Sequence, residues 1–152
     1  PSPSSAGRLF DAACGLLGVY LVAEFEGQAP MQLESMVANP QIQPDGWRLS
    51  DGILDMAPLL DTLVGMEPEA GADLFHGTLV AALTDWVMDA AGRTGISDVA
   101  FCGGCFLNAV LREGLADALE RKGLTPRIAR AITPGDEAIS LGQAWAAGLL
   151  KA

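Results

Sequence analysis

The sequence predicts an α/β fold, and three observations carry that reading. Between residues 98 and 150 short apolar runs alternate with helical patterns, in the order strand, helix, strand, helix. That order implies parallel strands joined by crossover helices. The pair Gly103-Gly104 follows the first of these runs and precedes a helix, as in a tight strand-to-helix turn. Upstream, apolar residues recur at helical spacing, so further helices precede the parallel unit. With 152 residues, half of them apolar, the chain suffices for one domain (1–152) with its own core.

The elements follow in order. A helix starts at Ser4-Ser5, one serine serving as N-cap, with Leu9, Phe10, Ala13, Leu16 and Leu17 as its apolar stripe. Residues 20–25 either extend it or form an irregular approach to Glu26-Gly27. A second helix covers about 30–37, Pro30 suiting its first turn. Residues 39–45 read as a loop. Residues 47–55 read as a hairpin, because Asp51-Gly52 is a strong turn pair. A short helix covers 56–63 and a loop 65–71. A long helix runs over 72–91, with Phe75, Leu79, Leu83 and Val87 along one face, and Gly92 and Gly95 end it. Strand 98–102, helix 107–122, strand 126–130 and helix 136–150 complete the chain. The last helix has Thr133 as its cap and Pro134 at its first position. Helices 107–122 and 136–150 are expected to pack on a sheet in which 98–102 and 126–130 are parallel neighbours.

Composition excludes several function classes. The net charge of −10 argues against a nucleic-acid surface, which needs clustered Lys and Arg. No apolar run is long enough to span a bilayer, and no signal peptide opens the chain. Three cysteines do not suggest a disulfide scaffold, and a cytoplasmic location is expected. Pro1-Ser-Pro-Ser-Ser5 reads as a cut point inside a longer polypeptide. Cys102-Gly-Gly-Cys105 matches the Cys-x-x-Cys pattern, but a zinc site needs a second ligand pair. Small, semi-buried packing around the turn is the expected role of these cysteines.

A few residues carry possible chemistry. A turn of two glycines lets a phosphate approach the backbone, where N–H groups and a helix N-terminus face its charge. Asp136, in the first turn of the last helix, either favours the helix dipole or serves as a metal ligand or an acid beside a nucleotide. Gly7 and Asp11, one helical turn apart, can face the same space. The Asp11 carboxylate there either accepts from ribose hydroxyls or is an exposed helix acid. Asn108 opens its helix and either caps it or meets an adenine edge. Glu26 is a loop acid without a visible partner. His76 is expected to be a partly buried packing residue.

Five separated motifs occur in a fixed order. They are Ser4-Ser-Ala-Gly-Arg-Leu-Phe-Asp-Ala, Phe25-Glu-Gly-Gln-Ala, Phe75-His76, Cys102-Gly-Gly-Cys-Phe-Leu-Asn108 and Pro134-Gly-Asp-Glu-Ala-Ile-Ser-Leu-Gly-Gln143. In that order they resemble the HypF family, the carbamoyltransferases of nickel–iron hydrogenase maturation. The resemblance runs from near Ser4 to the C-terminus. It implies the C-terminal lobe of a two-lobed ATPase domain of the actin/Hsp70-like, RNase H-like class. It implies a parent enzyme that takes carbamoyl phosphate and ATP through a carbamoyl-adenylate to the C-terminal cysteine of a HypE-like acceptor. The isolated lobe is expected to be inactive.

The resemblance places Gly103 and Gly104 at the nucleotide phosphates, Asn108 near adenine, and Gly7 and Asp11 along the ribose. Asp136 matches an aspartate that shares a divalent metal ion with a His-x-x-x-His pair of the preceding lobe. The sequence departs from the family pattern at Cys102, usually Ser, and at Cys105, usually Val. It also reads Gly135-Asp-Glu-Ala138 where the family reads Asn-Asp-Gly-Gly. Two alternatives stand beside this reading: a carbamoyltransferase lobe acting on a small-molecule hydroxyl, and a non-catalytic nucleotide-binding or scaffold module, to which the Cys and Glu departures give weight.

Overall fold

A computed structural model describes residues 5–150. Ser4 as a cap and the start of the chain lie outside the described residues. Helix α1 spans Ala6–Leu16. Ser5 stands at its N-cap position, but its side chain makes no capping bond. The buried face is Phe10, Ala13, Cys14 and Leu17, whereas Leu16 is exposed. The stripe therefore lies one position round from the expected one, with Cys14 inside. Residues 20–25 are irregular, with Gly18 and Tyr20 at positive φ. Helix α2 follows at Gln28–Ser35, with Pro30 in its first turn.

Strands β1 (Arg48–Ser50) and β2 (Ile53–Asp55) form the expected antiparallel hairpin. Asp51 and Gly52 both adopt positive φ, which matches the right-handed twist of the strands. Helix α3 is Ala57–Leu63. Helix α4 is longer than its pattern suggested, at Pro68–Thr94. Pro68 at its start sets the N-terminus, so most of the loop expected over 65–71 is helical. Gly71 and Gly77 do not break the helix. A Cβ at Gly71 would strike the Leu17 side chain, and one at Gly77 would strike the backbone of Gln41. Gly92 is also helical, and Gly95, at φ 72°, alone makes the C-cap.

The close approach at Gly77 fastens the segment before the hairpin to α4. The amides of Ala38 and Asn39 both donate to Asp73 Oδ1 at 2.8 Å. Gln41 N–H donates to the Asp73 carbonyl, and Gln43 N–H to Thr78 Oγ1.

Strands β3 (Asp98–Phe101) and β4 (Thr125–Ile128) pair in parallel, Asp98 opposite Thr125 and Phe101 opposite Ile128. Helix α5 (Ala109–Arg121) connects them. It starts two residues later than expected because Gly104–Leu107 form a separate 3₁₀ turn. The C-terminal segment also departs from expectation. Asp136–Ala138 are a 3₁₀ turn, and α6 is Ile139–Leu149. Pro134 precedes the helix, and Thr133 does not cap it. Helix α6 does not pack on the sheet: every residue of it is exposed, including Trp145 at 72%.

The main core gathers α1, α2, α3 and α4 around Phe10, Leu33, Leu59, Leu63, Phe75 and Leu79. A second cluster holds Phe101, Leu115, Ala116 and Leu119. Leu83 touches both, so the apolar face of α4 joins helical and sheet parts. Among the described residues no helix is long and apolar enough to cross a membrane.

Candidate functional site

The site is built at the C-terminal ends of the two parallel strands, where open α/β sheets place their ligands. Phe101 ends β3 and is buried against Phe106, the rings stacked 4.5 Å apart. The chain must reverse within Cys102–Cys105 for that stacking. Gly103 makes the reversal at φ 101° and ψ 154°, a conformation open to glycine and closed to L side chains. Gly104 is exposed, and a Cβ on either glycine would meet nothing. The Gly104 N–H donates to no acceptor among the described residues, whereas the Cys105 N–H is directed at its own thiol. The turn therefore offers one unpartnered backbone donor, Gly104 N–H, at an exposed position at the start of a helical segment.

The turn is tied on three sides. Gly103 N–H donates to the Pro134 carbonyl at 2.7 Å, which brings the loop after β4, with Asp136, beside the turn. On the far end, Arg112 donates to the Phe106 carbonyl at 3.2 Å. Beneath it, Asn108 is buried and caps α5, its Oδ1 accepting Leu111 N–H at 2.8 Å. Asn108 Nδ2 donates to His76 Nε2 at 3.0 Å, and His76 Nδ1–H donates to the Ala72 carbonyl at 2.9 Å. His76 is not partly buried, as its sequence context suggested, but wholly buried. Burial holds its pKa below the ordinary 6.5, so the ring is neutral.

Asp11 also belongs to this neighbourhood. Its charge acts on Cys105, whose thiol is pushed up chiefly by burial and then by Asp11. Asp11 is half-exposed and paired with Arg8 at 3.1 Å. Gly7 is partly buried one turn earlier on α1. Asp136 is exposed. Its neighbour Glu137 folds back over the turn, accepting from Thr133 Oγ1 at 2.9 Å and from its own N–H. These bonds hold its carboxyl below the usual range. Glu26 is exposed in the irregular segment before α2.

The structure thus ties the loop of Asp136 to Gly103 through the Pro134 carbonyl and sets α1, with Asp11, near Cys105. It turns the Asn108 side chain inward, where both polar atoms are engaged. Cys14, Cys102 and Cys105 are free thiols. Among the described residues no three His, Cys, Asp or Glu side chains cluster to hold a metal ion. A groove of about 300 Å³ between Trp86, Ala90 and Val99 is lined mainly by apolar side chains and includes none of the turn residues.

Sequence reasoning missed His76 as the partner of Asn108, and it missed Glu34. Its Oε1 accepts the Ala109 N–H at 2.6 Å and so reaches the first turn of α5 from α2. The contact spans 75 positions, and no local signal marks it.

Comparison with known proteins agrees with this architecture. Residues 1–143 match a family model described as the second subdomain of the carbamoyltransferase Kae1-like domain. The chain is 45% identical over 146 residues to carbamoyltransferase HypF of Rhizobium leguminosarum bv. viciae, covering 94% of this chain and 19% of that protein. It is 39% identical over 161 residues to a HypF homolog of Cupriavidus necator, covering 97% of this chain and 41% of the homolog. A crystal structure of full-length HypF in a phosphate- and nucleotide-bound form superposes with a TM-score of 0.84 at 32% identity, over 93% of this chain and 20% of that one. The HypF of T. kodakarensis superposes with a TM-score of 0.82 at 24% identity. The chain spans about a fifth of the length of HypF from Rhizobium leguminosarum and of the superposed full-length HypF.

Proposed function

The chain belongs to the HypF carbamoyltransferase family, and from that premise we propose that it is the C-terminal lobe of an actin/Hsp70-like ATPase-class domain. In this reading it lends one wall of a nucleotide site to a larger enzyme. That enzyme carries the carbamoyl group of carbamoyl phosphate, through a carbamoyl-adenylate made from ATP, to the terminal cysteine thiol of a HypE-like acceptor. The observation that carries the reading is the Gly103-Gly104 turn, open at both glycines, with an unpartnered Gly104 amide and a bond to the loop that holds Asp136.

Each residue has a role in that reading. The Gly104 N–H donates to a phosphate oxygen, and the lack of side chains at both glycines lets the phosphates reach it. Gly7 and Asp11 of α1 line the ribose side. Asn108 acts from beneath the adenine side by fixing the turn. ATP, when bound, supplies the leaving group that activates the carbamoyl carbon. The loop after β4 adds the carboxylates of Asp136 and Glu137, so bound phosphates need a counter-charge there. Asp136 would give one oxygen to a divalent cation completed by side chains outside this chain. The work of the lobe is positioning and charge stabilisation rather than covalent catalysis.

The test is transfer from labelled carbamoyl phosphate to the acceptor by the full-length protein. Label should appear only with ATP and should vanish when the acceptor's terminal cysteine is replaced by serine. Transfer that proceeds equally well without nucleotide would defeat the reading. The Thr133–Glu137 pair favours a second reading, a nucleotide site lost from a scaffold lobe, because it holds a carboxylate beside Gly135. Calorimetric titration of the full-length protein with ATP separates the two.

A further inference from the structure

We infer that His76 is a positioning residue for the glycine turn, acting through Asn108. His76 touches neither the turn nor open space. It lies inside α4, fully buried, with its ring edge-to-face against Phe10 and Phe75. A polar ring in such a place must have both nitrogens satisfied. One is spent on its own helix, where Nδ1–H donates to the Ala72 carbonyl. That bond fixes the tautomer and leaves Nε2 as an acceptor, and Asn108 Nδ2 is its donor.

The consequence passes through Asn108. With Nδ2 held by α4, its Oδ1 is aimed at Leu111 N–H, and its own N–H donates to the Cys105 carbonyl. One side chain thus clamps the end of the 3₁₀ turn and the start of α5 to a helix of the main core. Glu34 adds a second clamp on Ala109. Without the histidine, Asn108 keeps its cap but loses its fixed rotamer, and Gly104 and Cys105 lose a fixed direction for their amides. The charged groups that face His76 are Glu34 from α2 and Asp73 from α4, and both favour a proton on it. Burial opposes that proton more strongly, so the accepting form of Nε2 prevails.

The importance of the turn for ATP rests on the function proposed above, and the experiment reads the two separately. In the full-length protein, His76→Leu removes both bonds and His76→Gln keeps an acceptor for Asn108. Asn108→Ser keeps a good cap but cannot reach His76. Amide hydrogen exchange over 103–108 should quicken about tenfold in His76→Leu and Asn108→Ser, with β4 and the middle of α4 unchanged. The KM for ATP should rise about tenfold while kcat changes less than about threefold. His76→Gln should recover most of both, and the double variant should be no worse than either single one. Unchanged exchange over 103–108 in Asn108→Ser, or acceleration spread evenly over the molecule, overturns the inference even where His76→Leu does not fold. A wild-type protein indifferent to ATP would instead refute the nucleotide reading, and the exchange pattern would still decide the role of His76.

Discussion

Gly103 N–H donates to the Pro134 carbonyl at 2.7 Å, and this bond joins the two loops that leave the parallel strands. Substitutions at the two glycines of this turn should separate conformation from ligand approach. Gly103→Ala forces an L residue to φ 101° and should cost about 1–3 kcal/mol of stability. Gly104 has no such backbone demand and an open Cβ position, so Gly104→Ala should melt like the wild type while weakening ATP binding by steric exclusion. Thermal melting and ATP titration of the two variants check this contrast.

Asp136→Ala in the full-length protein should lower carbamoyl transfer by more than about tenfold without changing the melting temperature. The carboxylate is exposed, and no ion pair among the described residues uses it. A role limited to the helix dipole contributes at most about 1 kcal/mol to stability and would spare the reaction. Near-normal transfer by a folded variant would remove Asp136 from the site.

The glycines of α4 should respond with opposite signs. Gly77→Ala places a methyl group against the Gln41 backbone, which cannot yield as a side chain end can. A loss of about 1–3 kcal/mol is expected. Gly92 is helical and faces open space, so Gly92→Ala should raise stability by about 0.5–1 kcal/mol. Denaturant melts of both variants measure the two changes.

The three thiols should react in a fixed order. Cys102 is exposed, Cys105 half-buried with its thiol pushed up, and Cys14 buried with its pKa pushed up to about 11. At pH 8 a small alkylating reagent should modify Cys102 first, Cys105 more slowly and Cys14 only on unfolding. Peptide mass mapping over time tests the order, and early loss of Cys14 would contradict its burial.

His76 should make stability fall in mild acid. Its folded pKa lies below the unfolded value near 6.5, so the unfolded chain binds the extra proton first. The contribution is complete above about pH 6.5 and is lost as pH falls from there through the depressed folded pKa. Between pH 7.5 and 5.5 the melting temperature of the wild type should therefore drop more than that of His76→Gln. Parallel slopes would mean that the ring does not titrate as its burial requires.

The elements legible in the sequence were those fixed by local chemistry. Asp51-Gly52 announces its hairpin, and the alternation after residue 98 announces the parallel pair. Gly103-Gly104 marks the turn because a backbone requirement is written in the residue itself. The errors have several causes. Gly71 reads as a loop residue, yet it is helical, and Leu17 packs where its side chain would stand. Thr133 reads as a cap, yet its hydroxyl donates to Glu137. Helix α6 has the composition of a packed helix and is exposed throughout. Glu34 and His76 were invisible as partners of the α5 N-terminus because each meets it across a long stretch of chain.

The segment before the hairpin looks by composition like a place for a protease to cut, with proline, asparagine and glutamine in succession. Its amides at Ala38, Asn39, Gln41 and Gln43 are held by Asp73 and Thr78, and its backbone lies against Gly77. A protease needs an extended, released strand of several residues. Here that release requires the segment to leave α4 along its whole length, so nicking would follow the opening of the helical core rather than the exposure of the loop.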